Sequence, residues 1–167
     1  MQARSGLTIL ELLVVLVLVA LAAGLAIPAY FERSEVTLER ASILLARDLR
    51  MAQNRSAYLE EPCRVWFRED GDGYRVTNHA GAIIRNPGTN QPFERRFSVD
   101  AVFRGVRIVE ARFGPDRFLS YDERGLPREE GQITLWFAGD TRTVHVERRA
   151  GKIEILGATS GWTDPGY

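Results

Sequence analysis

Residues 5–28 read SGLTILELLVVLVLVALAAGLAIP, and the reading of this stretch decides what kind of chain follows it. From Leu12 to Ile27 there are sixteen residues without a polar side chain. Extended back to Leu7, the segment is about 21 residues and roughly 30 Å long as a helix, enough to cross a bilayer. Its one ionisable residue is Glu11, near the N-terminal end. A carboxylate held inside hydrocarbon costs on the order of 3 kcal/mol or more, so it needs a reason to be there.

Two ordinary explanations leave Glu11 without one. A cleaved secretory signal would use Arg4 as its basic region and Ala20-Leu21-Ala22 as its cleavage site. Glu11 then stands between the basic region and the apolar run, where an acid is out of place. A plain signal anchor gives the carboxylate no partner at all.

A third reading accounts for it. Ser5-Gly6-Leu7-Thr8-Ile9-Leu10-Glu11-Leu12-Leu13 resembles the class III signal of type IV pilins and type II secretion pseudopilins. That pattern is a glycine, a large apolar residue (usually Phe, here Leu7), Thr, two aliphatics, Glu and a long apolar run. The resemblance implies that prepilin peptidase cuts between Gly6 and Leu7 on the cytoplasmic side and methylates the new amine of Leu7. The apolar helix then stays in the mature protein. Cleavage places a positive amine four residues before the negative Glu11, and pairing with a neighbour's amine in a filament would cancel two buried charges together. Pro28 closes the apolar run, where pilin-like helices commonly carry a helix-kinking proline.

Beyond Pro28 the pattern changes. Leu38, Ala41, Leu45, Leu49 and Ala52 recur at three- and four-residue spacing, the stripe of an amphipathic helix. Glu35, Glu39, Arg40, Arg47, Asp48 and Arg50 are assigned to its polar face. This helix must end before Pro62, which gives one N-terminal helix of about 50 residues, or roughly 75 Å.

Strand periodicity takes over next. Arg64–Phe67 and Tyr74–Thr77 flank the hairpin turn Asp70-Gly71-Asp72-Gly73. Further strands are expected at 97–103, 106–113, 132–137, 143–147 and 152–156, with Gly139-Asp140 and Ala150-Gly151 as turns. Residues 85–94, holding Pro87, Gly88, Asn90 and Pro92, read as a loop. The expected fold class is α+β: a long N-terminal helix, its first half transmembrane, packed on an antiparallel β-sheet head of pilin-like type.

Two stretches of the head carry a closer likeness. ASILLARDLRMAQNRSA (41–57) and FLSYDERGLPREEGQITL (118–135) resemble the GspH/FimT group of minor pseudopilins and minor pilins. The second matches that group's Phe-…-Gly-X-Pro-…-Gly-X-Ile-X-Leu segment. The division implied is a prepilin leader (1–6), a transmembrane helix (7–29), a periplasmic amphipathic helix (30–61), a GspH/FimT-like head (62–157) and a flexible tail (158–167). The function implied is a minor pseudopilin of a type II secretion system, a structural subunit that helps export folded proteins. The alternatives are a type IV pilus minor pilin or FimT-like DNA-uptake factor, and a membrane-anchored periplasmic enzyme. The partners implied are prepilin peptidase, other major and minor pseudopilins, the inner-membrane secretion platform and inner-membrane lipid. The place implied is the bacterial inner membrane, single-pass, with the head in the periplasm.

Composition narrows the rest. In 167 residues, 22 basic and 22 acidic side chains cancel, so no bulk electrostatic partner such as nucleic acid is expected. Cys63 is the only cysteine, which excludes an internal disulfide, a redox pair and a multi-cysteine zinc site. Asp70-X-Asp72-Gly73 opens like a calcium loop but lacks the later bidentate acid, so an acidic turn is expected. Tyr121-Asp122-Glu123-Arg124-Gly125 reads as a solvated loop. Ser160-Gly161 lacks a nucleophile elbow, and His79 and His145 have no motif around them. Cys63 is expected half-buried, and Arg95-Arg96 and Arg148-Arg149 are expected on a solvated surface. No catalytic residue, metal or cofactor is expected.

Overall fold

The computed structural model describes the backbone of residues 9–157 and the side chains of 9–22 and 36–157. The chain divides into two compact units after Glu35. Among the described residues the elements are one α-helix, α1 (Ile9–Leu59), a short 3₁₀ turn (Phe97–Val99) and eight strands: β1 (Cys63–Phe67), β2 (Gly73–Asn78), β3 (Glu94–Arg96), β4 (Arg107–Phe113), β5 (Phe118–Tyr121), β6 (Gly131–Phe137), β7 (Asp140–Val146) and β8 (Ile153–Leu156). The fold class is α+β.

In the first unit the apolar side chains from Ile9 to Leu21 are exposed. Among the described residues no helix is long and apolar enough to cross a membrane. The expected span, 7–29, runs outside the described side chains at both ends.

In the second unit the helix stripe lies where its periodicity placed it. Leu38, Ala41, Leu45, Leu49 and Ala52 are all buried. The helix ends on Glu60, whose φ of 52° is left-handed. The Glu61 N–H then reaches back to the Ser56 carbonyl at 3.2 Å, so the last turn closes its own orphan carbonyl before Pro62.

The strands form two four-stranded antiparallel sheets, with orders β3-β2-β1-β5 and β4-β6-β7-β8. Their inner faces share one hydrophobic core with the helix stripe: Val65, Tyr74, Val76, Leu119 and Tyr121 from the first sheet, and Ile108, Phe113, Ile133, Leu135, Val144 and Val146 from the second. Inward residues alternate along β1 and over the Val144–Val146 end of β7, as half-buried antiparallel strands require.

Four expectations need correction. The strand expected at 97–103 is instead a 3₁₀ turn over Phe97–Val99 followed by further turns. Asp72 causes this: Ser98 donates its N–H to Asp72 Oδ1 at 2.7 Å and its hydroxyl to Oδ2 at 2.6 Å. These bonds bend the chain and leave Phe97 buried against Tyr74. The β6–β7 turn is Ala138-Gly139, both with positive φ, and Asp140 already pairs with Phe137. Tyr121, expected at the start of a solvated loop, instead ends the strand β5, which lies at the edge of the first sheet against β1, and is fully buried. The fourth correction is Asp48, which belongs to the core and not to the polar face; it is 1% exposed.

Candidate functional site

The residues assigned to processing, Gly6 and Leu7, lie outside the described residues. Glu11, assigned to assembly, sits exposed in the first turn of α1. Around it Ile9, Leu10, Leu12, Leu13 and Val15 are each half or more exposed. A contiguous exposed apolar surface of this kind is the type that marks protein–protein or membrane contact sites. Pro28 falls inside the continuous backbone of α1, and its side chain, with the kink assigned to it, lies outside the described residues.

The strongest polar constellation in the head was not anticipated. Asp48 Oδ2 accepts a hydrogen bond from the Tyr74 hydroxyl at 2.8 Å and one from Arg95 Nε at 2.9 Å. The Asp48 side chain is fully buried, and Arg95 is about one third exposed. Burial, and then the neighbouring Asp48 charge, pushes the Tyr74 phenol well above its ordinary range. Burial opposes the Arg95 charge, yet the hydrogen bond and charge of Asp48 outweigh it and hold the guanidinium more firmly protonated. Tyr74 is therefore a donor locked neutral, and Asp48 joins α1 to β2 and β3. The chemistry of this group is that of a structural bolt between helix and sheet.

Other polar contacts hold the helix against the sheets. Ser56 Oγ donates to the Asp122 carbonyl at 2.7 Å or to the Glu61 carbonyl at 2.6 Å. Arg50 Nη2 donates to the Ile153 carbonyl at 3.1 Å, and Gln53 Nε2 to the Gly151 carbonyl at 3.2 Å. The sequence motif Gly-X-Pro around Gly125 acquires a reason here. Gly125 has φ +74°, and a Cβ on it would stand 2.7 Å from the Gln53 carbonyl oxygen of the helix.

The acidic loops are used by the protein itself. Asp70 Oδ1 accepts from the Asp72 N–H at 3.0 Å, and both Asp72 oxygens are bound by Ser98. Asp122 Oδ1 accepts from the Arg124 and Leu126 N–H groups. Among the described residues no group of three or more His, Cys, Asp or Glu side chains is placed to hold a metal ion. Cys63 is fully buried, not half-buried, and burial pushes its thiol up to about 11. His145 is about one third exposed, 3.5 Å from Glu130. Arg96, Arg148 and Arg149 are exposed, whereas Arg95 is committed to Asp48.

No protein-family model matches the chain, and no curated protein matches it by sequence. Among solved structures it is similar to FimU of Pseudomonas aeruginosa strain PAO1, described as a type IV minor pilin. The TM-score is 0.51 at 16% identity, over 72% of this chain and 88% of FimU. A second crystal form of FimU gives a TM-score of 0.49 at 14% identity, over 72% of this chain and 93% of that one. The fold is pilin-like.

Proposed function

We propose that this chain is a minor subunit of a type IV pilin-like filament, anchored in the bacterial inner membrane with its head in the periplasm. The observation that carries the reading is a coincidence in one chain. A Gly6–Glu11 processing pattern stands ahead of an α+β head with the fold of a minor pilin. In this reading prepilin peptidase removes residues 1–6 and methylates Leu7. The apolar segment holds the subunit in lipid and then in the filament, and Glu11 meets an amine of the assembly. The chain performs no chemistry; its partners are other pilin-like subunits and the inner-membrane assembly platform.

Two systems use such subunits. The likeness to FimU supports a type IV pilus minor pilin. A type II secretion pseudopilin of the GspH kind is the second reading. It is favoured by the lone Cys63, buried in the core, because pilins commonly carry a cysteine pair near the C-terminus. Deleting the gene in its own host separates the two: loss of surface pili supports the first, and loss of an exported protein from the medium supports the second. Normal pili together with normal secretion would refute both.

A further inference from the structure

Within the second unit α1 has two sides, and the sheets cover only one of them. Leu38, Ala41, Leu45, Leu49 and Ala52 are buried in the core. On the far side Arg40, Ile43, Arg47, Met51, Asn54 and Tyr58 follow at spacings of three, four, four, three and four, so they stand in one row along the helix. The row is about 27 Å long. Ile43 is 50% exposed and Tyr58 87%. Arg40 and Arg47 are exposed as well, and neither forms an ion pair or a side-chain hydrogen bond among the described residues. At its C-terminal end the row meets a concavity of about 730 Å³, where Arg55 and Leu59 of the helix are joined by Arg85 and Pro87 from the loop after β2.

The charges of this row are of one sign. Glu39 lies at its margin and Glu61 at its end, 3.8 Å from Arg55, and Arg85 donates to the Asn90 carbonyl at 2.8 Å. A face that sets cations between large apolar side chains suits a partner with carboxylates around an apolar residue. Apolar burial then supplies affinity, while the charges fix the register and the choice of partner. Arg40 and Arg47 are seven residues apart with Ile43 between them. The matching surface is a helix with two carboxylates seven residues apart and an aliphatic residue between them. The same row of a second copy would set arginine against arginine, which disfavours pairing of this helix with itself. A lipid surface offers anionic groups too, but it is flat on this scale, whereas the concavity beside Tyr58 takes a protruding side chain.

We propose, on the reading of the chain as a filament subunit, that this face of α1 receives an acidic amphipathic helix of a different subunit of the filament. The partner's carboxylates meet Arg40 and Arg47, and one of its apolar side chains fills the concavity beside Tyr58. Charge on this face thus selects an unlike neighbour over a second copy.

The test places the photocrosslinking residue p-benzoylphenylalanine at position 54 of the full chain in its own host, with position 16 as the reference, and identifies the products by mass spectrometry. Position 54 should crosslink to a different pilin-like subunit, on a helix that carries the two spaced carboxylates. Arg40→Glu with Arg47→Glu should lower that yield by about tenfold, since like charges then face each other. Arg40→Lys with Arg47→Lys keeps the charge and should keep most of the yield. Changing the partner's two carboxylates to lysine should restore crosslinking to the doubly reversed chain. A product with a second copy, a product with lipid alone, or a yield unmoved by charge reversal would overturn the proposal. No product at position 54 beside a pilin-like partner at position 16 would overturn it and leave the filament reading standing. No pilin-like partner at either position would overturn both.

Discussion

Asp48 Oδ2 and the Tyr74 hydroxyl lie 2.8 Å apart in the middle of the head, with both side chains sealed from solvent. This bond, with Arg95 as the third member, ties the helix to the hairpin sheet through one carboxylate. Breaking it from the two sides should have unequal consequences. Asp48→Ala strands a buried phenol and a half-buried guanidinium, and should cost about 3 kcal/mol. Tyr74→Phe leaves the Arg95–Asp48 pair standing and should cost about 1 kcal/mol. Urea denaturation followed by near-ultraviolet circular dichroism measures both, and equal costs would mean that Arg95 contributes nothing.

Gly125 should prove the least replaceable turn residue in the loop after β5. Alanine there must adopt φ near +74° and place its Cβ 2.7 Å from a helix carbonyl and 3.0 Å from the Ala57 Cβ. The strain of the left-handed conformation, about 1 kcal/mol, adds to a displacement of loop from helix. We expect Gly125→Ala to lower stability by about 2–3 kcal/mol in the same assay. Gly139→Ala is the control, since Gly139 also has positive φ (+97°) but nothing within 4 Å of its Cβ position. It should cost only about 1 kcal/mol.

These two sites show what could be read along the chain and what could not. The helix stripe and the β1–β2 hairpin follow from local periodicity and a turn signal, and both are where those placed them. Asp48 was assigned to the polar face by residue type, although 41, 45, 48 and 52 are spaced four, three and four apart, so the period itself puts it in the stripe. The charge misled because its partners, Tyr74 and Arg95, are 26 and 47 residues away, and no local pattern announces them. The short edge strand β3 and the turn at Phe97–Val99 were hidden for the same reason, since Asp72 fixes Ser98 across 26 residues. Splitting of the strands into two sheets depends on which strand β5 meets, again a non-local choice.

Cys63 makes the alkaline limb of the stability profile testable. Its thiol is raised from about 9 to about 11, first by burial and in spite of the Ser56 contact and the Arg55 charge, which lower it. A raised folded-state value means that the neutral form is favoured by folding. Its contribution is therefore complete below pH 9 and is lost as the pH climbs from 9 to 11. That loss is roughly 2–3 kcal/mol. Cys63→Ala should flatten this part of the curve, while the fall above pH 10 from the raised Tyr74 and Tyr121 phenols persists. An unchanged slope between pH 9 and 11 in the variant would show that the thiol is not what titrates.

The last expectation concerns Glu11, whose place in an apolar stretch makes sense only with a partner charge. Glu11→Gln keeps the size and the hydrogen-bonding shape of the side chain and removes its charge. Membrane insertion should be spared, because a neutral amide is cheaper in hydrocarbon than a carboxylate. Leader removal should also be spared, and intact-mass analysis should still find a mature chain that begins at methylated Leu7. Incorporation should suffer, because an amine brought into the apolar interior then lacks its counter-charge. Removing one member of a buried pair costs roughly 3–5 kcal/mol, enough to lower incorporation about a hundredfold or more. A subunit that initiates assembly with few neighbours around it would lose less than one buried within the filament. Crosslinking to the other pilin-like subunits, at matched expression of the variant and the parent chain, measures the effect. Undiminished crosslinking of a correctly processed variant would mean that Glu11 makes no assembly contact in this chain.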